Sequence, residues 1–158
     1  MIIEGKFTIN APLDQVWNFF LDIKSVASCV PGCESIEPLD NNSYTAHIKA
    51  KVGPLSASFK VVITITDLKP FEYIKSTMKG QDSKIASNFF ASNVLTLQSL
   101  GPQETEVYYR SEVSVLGRLG MFGEGVMKKK AKELGEQFVV AMKNQLESIS
   151  LKDEKKHD

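Results

Sequence analysis

Apolar and polar residues alternate along most of this chain, and near its end the period changes once. Ile3, Phe7 and Ile9 are separated by Glu4, Lys6 and Thr8, the period-2 pattern of a strand that buries one face. Asn10-Ala11-Pro12 interrupts it. Asn10 suits an N-cap and Pro12 a first helical turn, and Val16, Trp17, Phe20 and Leu21 then form the inward stripe expected of a short helix. A second short helix is expected over Ile23 to Ser28, ended by Val30-Pro31-Gly32. Strand signals follow in quick succession: Cys33 to Leu39, Tyr44 to Val52, Ala57 to Ile65, Phe71 to Lys79, Ile85 to Leu100 and Thr105 to Leu116. Between them stand Asp40-Asn41-Asn42, Gly53-Pro54, Lys69-Pro70, Gly80-Gln81-Asp82 and Gly101-Pro102, the residue types of tight turns. Seven strands with short connections predict an antiparallel meander.

The change of period comes at Met127. From there the large apolar side chains fall at Met127, Ala131, Leu134, Phe138, Met142, Leu146 and Ile149, a mean spacing of about 3.7 that marks one face of a long helix. A long helix cannot hide such a stripe alone, and a one-faced antiparallel sheet needs a cover. Each solves the other's problem, and a curved sheet closing round a helix readily leaves a pocket between them. The pattern predicts an α+β fold with one domain over residues 1–150 and a disordered polar tail over 151–158.

Composition narrows the function. Nineteen basic and nineteen acidic residues among 158 cancel, without the basic surplus of a nucleic-acid binder. No apolar run reaches the roughly 18 residues of a membrane span, and Met1 leads directly into strand pattern, so a cytoplasmic location is expected. Cys29 and Cys33 suggest a reduced compartment rather than a disulfide framework. No metal or cofactor is expected. The catalytic inventory is thin. His47 shares the parity of Lys49 and Lys51, a solvent face, and His157 lies in the tail. The inward positions read as Ile, Val, Phe, Ala and Met, with Tyr44 and Tyr109 as the polar exceptions, so no catalytic residue is assigned and the chain is expected not to be an enzyme. Adjacent Phe89 and Phe90 must face opposite ways on their strand, one inward and one on the outer surface.

Gly117, Gly120, Gly123 and Gly125 bracket Met121 and Phe122 ahead of Lys128, Lys129, Lys130 and Lys132. This segment is either a flexible turn beside a solvated helix face or a mobile lip at the pocket mouth. In the second case the apolar pair and the lysines would touch an anionic membrane.

Gly5-Lys6-Phe7, Ala11-Pro12-Leu13-Asp14-Gln15-Val16-Trp17 and Val30-Pro31-Gly32-Cys33-Glu34-Ser35 resemble the N-terminal part of the CoxG family, named for a subunit of carbon monoxide dehydrogenase. Ala50-Lys51-Val52-Gly53-Pro54, Thr105-Glu106-Val107-Tyr108-Tyr109 and Leu116-Gly117-Arg118-Leu119-Gly120 resemble its middle and end. The resemblance implies a START-like (SRPBCC) helix-grip fold: a curved seven-stranded antiparallel sheet around a long C-terminal helix, with two short helices after the first strand. It also implies a cavity for a lipid or isoprenoid quinone, and an accessory role beside a molybdenum hydroxylase of the carbon monoxide dehydrogenase type, peripheral at the inner membrane face. The chain departs from the family in having few glycines between Gly80 and Phe90, at the expected cavity rim. Cavity positions are expected at Phe59, Ile63, Met78, Phe89, Tyr109, Val113, Met127 and Phe138. The mouth and membrane contact are expected at Met121, Phe122, Lys128 and Lys129. The competing readings are a START-like cyclase or hydrolase and a co-chaperone-type interaction module.

Overall fold

In the computed structural model the chain is described over residues 1–157, with side chains through residue 147; Ile149 and the tail expected over 151–158 lie outside the residues whose side chains are described. Strand β1 (Ile2–Ile9) leads into helices α1 (Leu13–Leu21) and α2 (Ile23–Cys29). The strands β2 (Cys33–Pro38), β3 (Ser43–Val52), β4 (Leu55–Lys69), β5 (Tyr73–Asp82), β6 (Ser87–Gly101) and β7 (Glu104–Gly117) follow in succession. A 3-10 turn (Leu119–Phe122) then feeds the long helix α3 (Glu124–His157). The sheet order is β1-β7-β6-β5-β4-β3-β2, with every pair antiparallel. Strands β2 to β7 are the expected meander. Strand β1 does not join β2 but pairs with β7, and α1 and α2 carry the chain from one edge of the sheet to the other. The fold is α+β, a START-like helix grip.

Odd positions of β1, β4, β6 and β7 and even positions of β3 and β5 face inward, in line with the alternation in the sequence. Register shifts at Cys33/Ser35, Ile65/Asp67 and Ser99/Gly101 mark bulges, which bend a strand and increase its twist. The backbone of α3 comes close to β1, α2 and the 3-10 turn, so the helix bridges the concave face and touches the protein at its margins.

Several expectations need correction. Asn10 does not cap α1. Pro12 occupies the N-cap with no side-chain hydrogen bond, and the Asn10 backbone N–H donates instead to Glu147 Oε1 at 3.1 Å. In α1 the buried residues are Val16, Trp17 and Phe19, whereas Leu21, at the helix end, is exposed. Strand β5 begins at Tyr73 rather than Phe71, which takes a left-handed φ of 67° in the preceding turn. That conformation is uncommon for a bulky residue, and here it lays the Phe71 ring 5.8 Å from that of Trp17. Strand β6 begins at Ser87 rather than Ile85. The Asp82 carboxylate accepts from the N–H groups of Lys84 (2.9 Å) and Ile85 (3.4 Å), and this side-chain-to-backbone turn holds Ile85 out of the ladder.

Candidate ligand site

The interior is not one core but two. The first gathers Ile9, Val16, Trp17, Phe19, Leu97, Val107, Met142 and Leu146 under α1, α2 and the later turns of α3. The second gathers Val52, Phe59, Val61, Ile85 and Leu119 beneath the 3-10 turn. Buried hydroxyls tie down each end. Thr105 Oγ1 donates to the Ala11 carbonyl at 2.9 Å, pinning β7 to the start of α1. Ser87 Oγ accepts from the Leu119 N–H at 3.1 Å and donates to the Ile85 carbonyl at 3.1 Å, pinning the 3-10 turn to β6.

Where the two cores meet, most inward side chains are half-buried, with Ala91 and Ile74, the latter a member of the first core, as the buried exceptions. Strand register sorts them into rows running across the sheet. One row reads Ile63, Met78, Ala91 and Val113; of these only Ala91 is fully buried. The next reads Ile65, Ser76, Asn93, Ser111 and Ile3, and the third Ile74, Leu95, Tyr109 and Gly5. Every member of the middle row is half-buried, as are Ala131, Leu134 and Phe138 on the facing stripe of α3. Ser111 Oγ donates to Asn93 Oδ1 at 2.6 Å, and Asn93 Nδ2 donates to Ser76 Oγ at 3.4 Å. The middle row thus carries a polar ladder across three strands, flanked by apolar rows.

Two glycines shape the walls. The Phe89 ring lies so close over Gly80 that any side chain there would collide with it, and the same ring meets that of Phe59 edge-on at 5.1 Å. Tyr109 leans over Gly5 in the same way and tilts against Phe7 at 6.3 Å. Beside Tyr109 a cleft of about 580 Å³ opens between β1 and α3, lined by Ile2, Phe7, Gly135 and Val139 with Lys128 and Lys132 at its rim. Ile3 and Tyr109 belong both to this cleft and to the rows just described. A separate groove of about 560 Å³ lies on the convex side of the sheet, over Val62, Phe90 and Leu116.

Apart from the charged side chains that line the cleft beside β1, among them Lys128 and Lys132, one buried carboxylate stands at the end of the interior. Asp82, buried beside the second core, accepts from the Ser58 N–H at 2.7 Å as well as from Lys84 and Ile85. These backbone donors, Ser58 first, hold its carboxyl below the usual carboxylate range. Cys29 is buried and its thiol donates to Gln145 Oε1 at 3.4 Å, while partial burial pushes the Cys33 thiol up.

The match that decides the relationship is to the family model for CoxG, the carbon monoxide dehydrogenase component of that name, over residues 5–147. The chain belongs to the CoxG family. No curated protein sequence matches this CoxG-family chain. Among solved structures, a conserved protein from Geobacillus kaustophilus is similar with a TM-score of 0.87 at 20% identity, over 94% of this chain and 96% of that one. A START superfamily protein from Mycobacterium smegmatis follows with a TM-score of 0.74 at 15% identity, over 94% and 98%. The Zhui aromatase/cyclase from Streptomyces sp. R1128 has a TM-score of 0.59 at 18% identity, over 92% and 90%. At these identities the likeness shows a shared fold.

In this CoxG-family chain the expected cavity residues do not surround one common space. Phe59, Ile63, Met78, Phe89 and Met127 gather in or against the second core, and Phe138 packs against the first. Tyr109 and Val113 lie between the two. The expected mouth divides as well. Met121 is 86% exposed, but the Phe122 ring turns back against the second core and over Gly53. Lys128 lines the cleft beside β1, and Lys129 faces solvent. Phe89 faces in and Phe90 out. Sequence reasoning missed Ser76, Asn93 and Ser111. Each has the inward parity of its strand, but only the register of three strands shows that they form one row.

Proposed function

We propose that this CoxG-family protein binds a hydrophobic small molecule, a lipid or an isoprenoid quinone, between the sheet and α3, and that it does so without catalysing a reaction. One observation carries the reading: the two cores are separated by half-buried inward rows facing a half-buried stretch of helix stripe. A domain of this size ordinarily closes such a region with large apolar side chains. Apolar surface left partly in water gains about 25 cal/mol per Å² when a ligand covers it, enough for micromolar binding by a chain of modest length. The cleft between β1 and α3 gives such a ligand a route inward.

Family membership supports the wider role, an accessory to a molybdenum hydroxylase of the carbon monoxide dehydrogenase type. The exposed Met121 beside Lys128 and Lys129 supports transient contact with an anionic membrane from the cytoplasmic side. Among the described residues no helix is long and apolar enough to cross a membrane. The cyclase reading draws on fold likeness to an aromatase/cyclase; among the described residues the rows between the two cores carry no His, Asp, Glu or Lys side chain, and Tyr109 is their one group of the acid–base kind.

The test is binding of the neutral dye N-phenyl-1-naphthylamine, combined with native mass spectrometry of protein purified from its own host and solvent extraction of what it carries. Saturable dye binding and a co-purifying apolar molecule are expected. Failure of both would overturn the reading.

A further inference from the structure

The middle row of the concave face is unlike its neighbours. The rows on either side, through Met78–Ala91–Val113 and Ile74–Leu95–Tyr109, are almost wholly apolar. Pairing of these strands needs no side-chain hydrogen bonds, because the backbone ladder supplies it. A polar group left without a partner costs about 1–3 kcal/mol when it is fully buried; these three are half-buried, so a ligand that covers them must supply their missing bonds. The ladder satisfies itself only in part. Ser111 holds one side of the Asn93 amide with a short bond of 2.6 Å, while the bond to Ser76 is long at 3.4 Å. Among the described residues the Ser76 O–H and the second Asn93 N–H have no acceptor. Two donors therefore sit side by side, half-buried, on the inward face of the sheet between the cores. The three rows carry no charged side chain among the described residues, the lysines Lys6, Lys128 and Lys132 belonging to the adjoining cleft, so a carboxylate or phosphate at the ladder has no charged partner in its own row, and its transfer out of water costs several kcal/mol.

We propose that the Ser76–Asn93–Ser111 ladder is the polar-recognition element of the ligand site, and that it selects a neutral ligand with a carbonyl oxygen on an apolar body. Ser76 Oγ and Asn93 Nδ2 donate to that oxygen, Ser111 fixes the orientation of the Asn93 amide, and the apolar body lies along the flanking rows. This deepens the functional reading above and rests on it.

The experiment measures displacement of N-phenyl-1-naphthylamine by three probes: 2-nonanone, its isostere 2-methyl-1-nonene, in which a methylene replaces the carbonyl oxygen, and octanoate at pH 8. A neutral hydrogen bond corresponds to roughly two- to tenfold in affinity. Asn93→Leu is expected to weaken 2-nonanone about five- to tenfold while shifting the alkene and the dye less than about twofold. Ser76→Ala, which leaves the Ser111–Asn93 bond intact, is expected to weaken the ketone about two- to fivefold with the alkene unchanged, and it decides the matter where Asn93→Leu fails to fold. Octanoate is expected to displace the dye least. Ketone and alkene affinities that move together in both variants, or do not move, would overturn the ladder's role. Octanoate binding tighter than the ketone would overturn the selection of a neutral group. A wild type that binds no dye at all would instead overturn the site beneath the inference.

Discussion

Alanine replacements two turns apart on one helix stripe measure whether the middle of the molecule is core or site. Met142 and Leu134 both belong to the apolar face of α3. Met142 is 0% exposed and packs into the first core, whereas Leu134 is half-buried and belongs to neither core. Truncating a fully buried methionine removes its transfer energy and leaves a cavity, about 3 kcal/mol for Met142→Ala. At about 2–4 °C per kcal/mol for a chain of this length, its Tm should fall about 6–12 °C. Leu134→Ala removes a side chain already partly in water and creates little new void, and alanine is the better helix former. It should cost about 1 kcal/mol or less, with a Tm drop under about 4 °C. The assay is calorimetric or circular-dichroism melting, checked by urea titration for an unchanged slope. The same Leu134→Ala variant should alter dye affinity, because its side chain faces the half-covered rows, and Met142→Ala should not. Equal losses of stability at the two positions would mean a continuous core beneath α3 and would refute the argument.

Two further outcomes follow from local geometry. Backbone donors hold the folded Asp82 carboxyl below its ordinary value near 3.8, so its contribution to stability is complete above that value and is lost as pH falls through the lower, folded value; the urea midpoint of Asp82→Asn should trail wild type at pH 7 and the difference should shrink progressively as pH falls below 3.8, and a gap that persists undiminished in acid would contradict this. Met121→Ser should reduce salt-sensitive flotation with anionic vesicles at unchanged Tm, whereas Phe122→Ser should lower Tm by several degrees because its ring packs on the second core; vesicle binding that ignores Met121 would remove the 3-10 turn from the membrane contact.

The features legible in the sequence were those that repeat. Alternation in β3, β4 and β7 gave their faces, and the stripe from Met127 to Leu146 gave the helix, because burial of one face is repeated at every turn or every second residue. Boundaries set by a single side chain were not legible. The Asp82 turn displaces Ile85 from β6, and Phe71 takes a left-handed conformation, for reasons that lie in contacts with residues distant along the chain or in one local hydrogen bond. The pairing of β1 with β7 had no local signal either, since nothing near Ile3 encodes Ser111. The middle row was hidden for the same reason. Ser76, Asn93 and Ser111 look like ordinary strand residues until three registers are set side by side.

That row also bears on why the inward face between the two cores is only half-covered. The two ends of the sheet are closed by different means: α1 lays Trp17 and Phe19 over one end with Cys29 of α2 beside them, and the 3-10 turn lays Leu119 and Phe122 over the other. Helix α3 spans the distance between them and is held off by whatever it rests on at each end. The face beneath its middle turns can then be covered only by large side chains from the sheet or from the helix. At several of these positions the sequence supplies modest ones: Ser76, Ala91, Asn93 and Ser111 from the strands, Ala131 and Gly135 from the helix. The larger neighbours turn aside, Phe89 over Gly80 and Tyr109 over Gly5. Enlarging one of the modest positions is therefore the perturbation that separates the gap from the cores. At a packed position added methylenes strain the interior; at the middle row, on the proposed reading, they should lower dye affinity and leave Tm nearly unchanged.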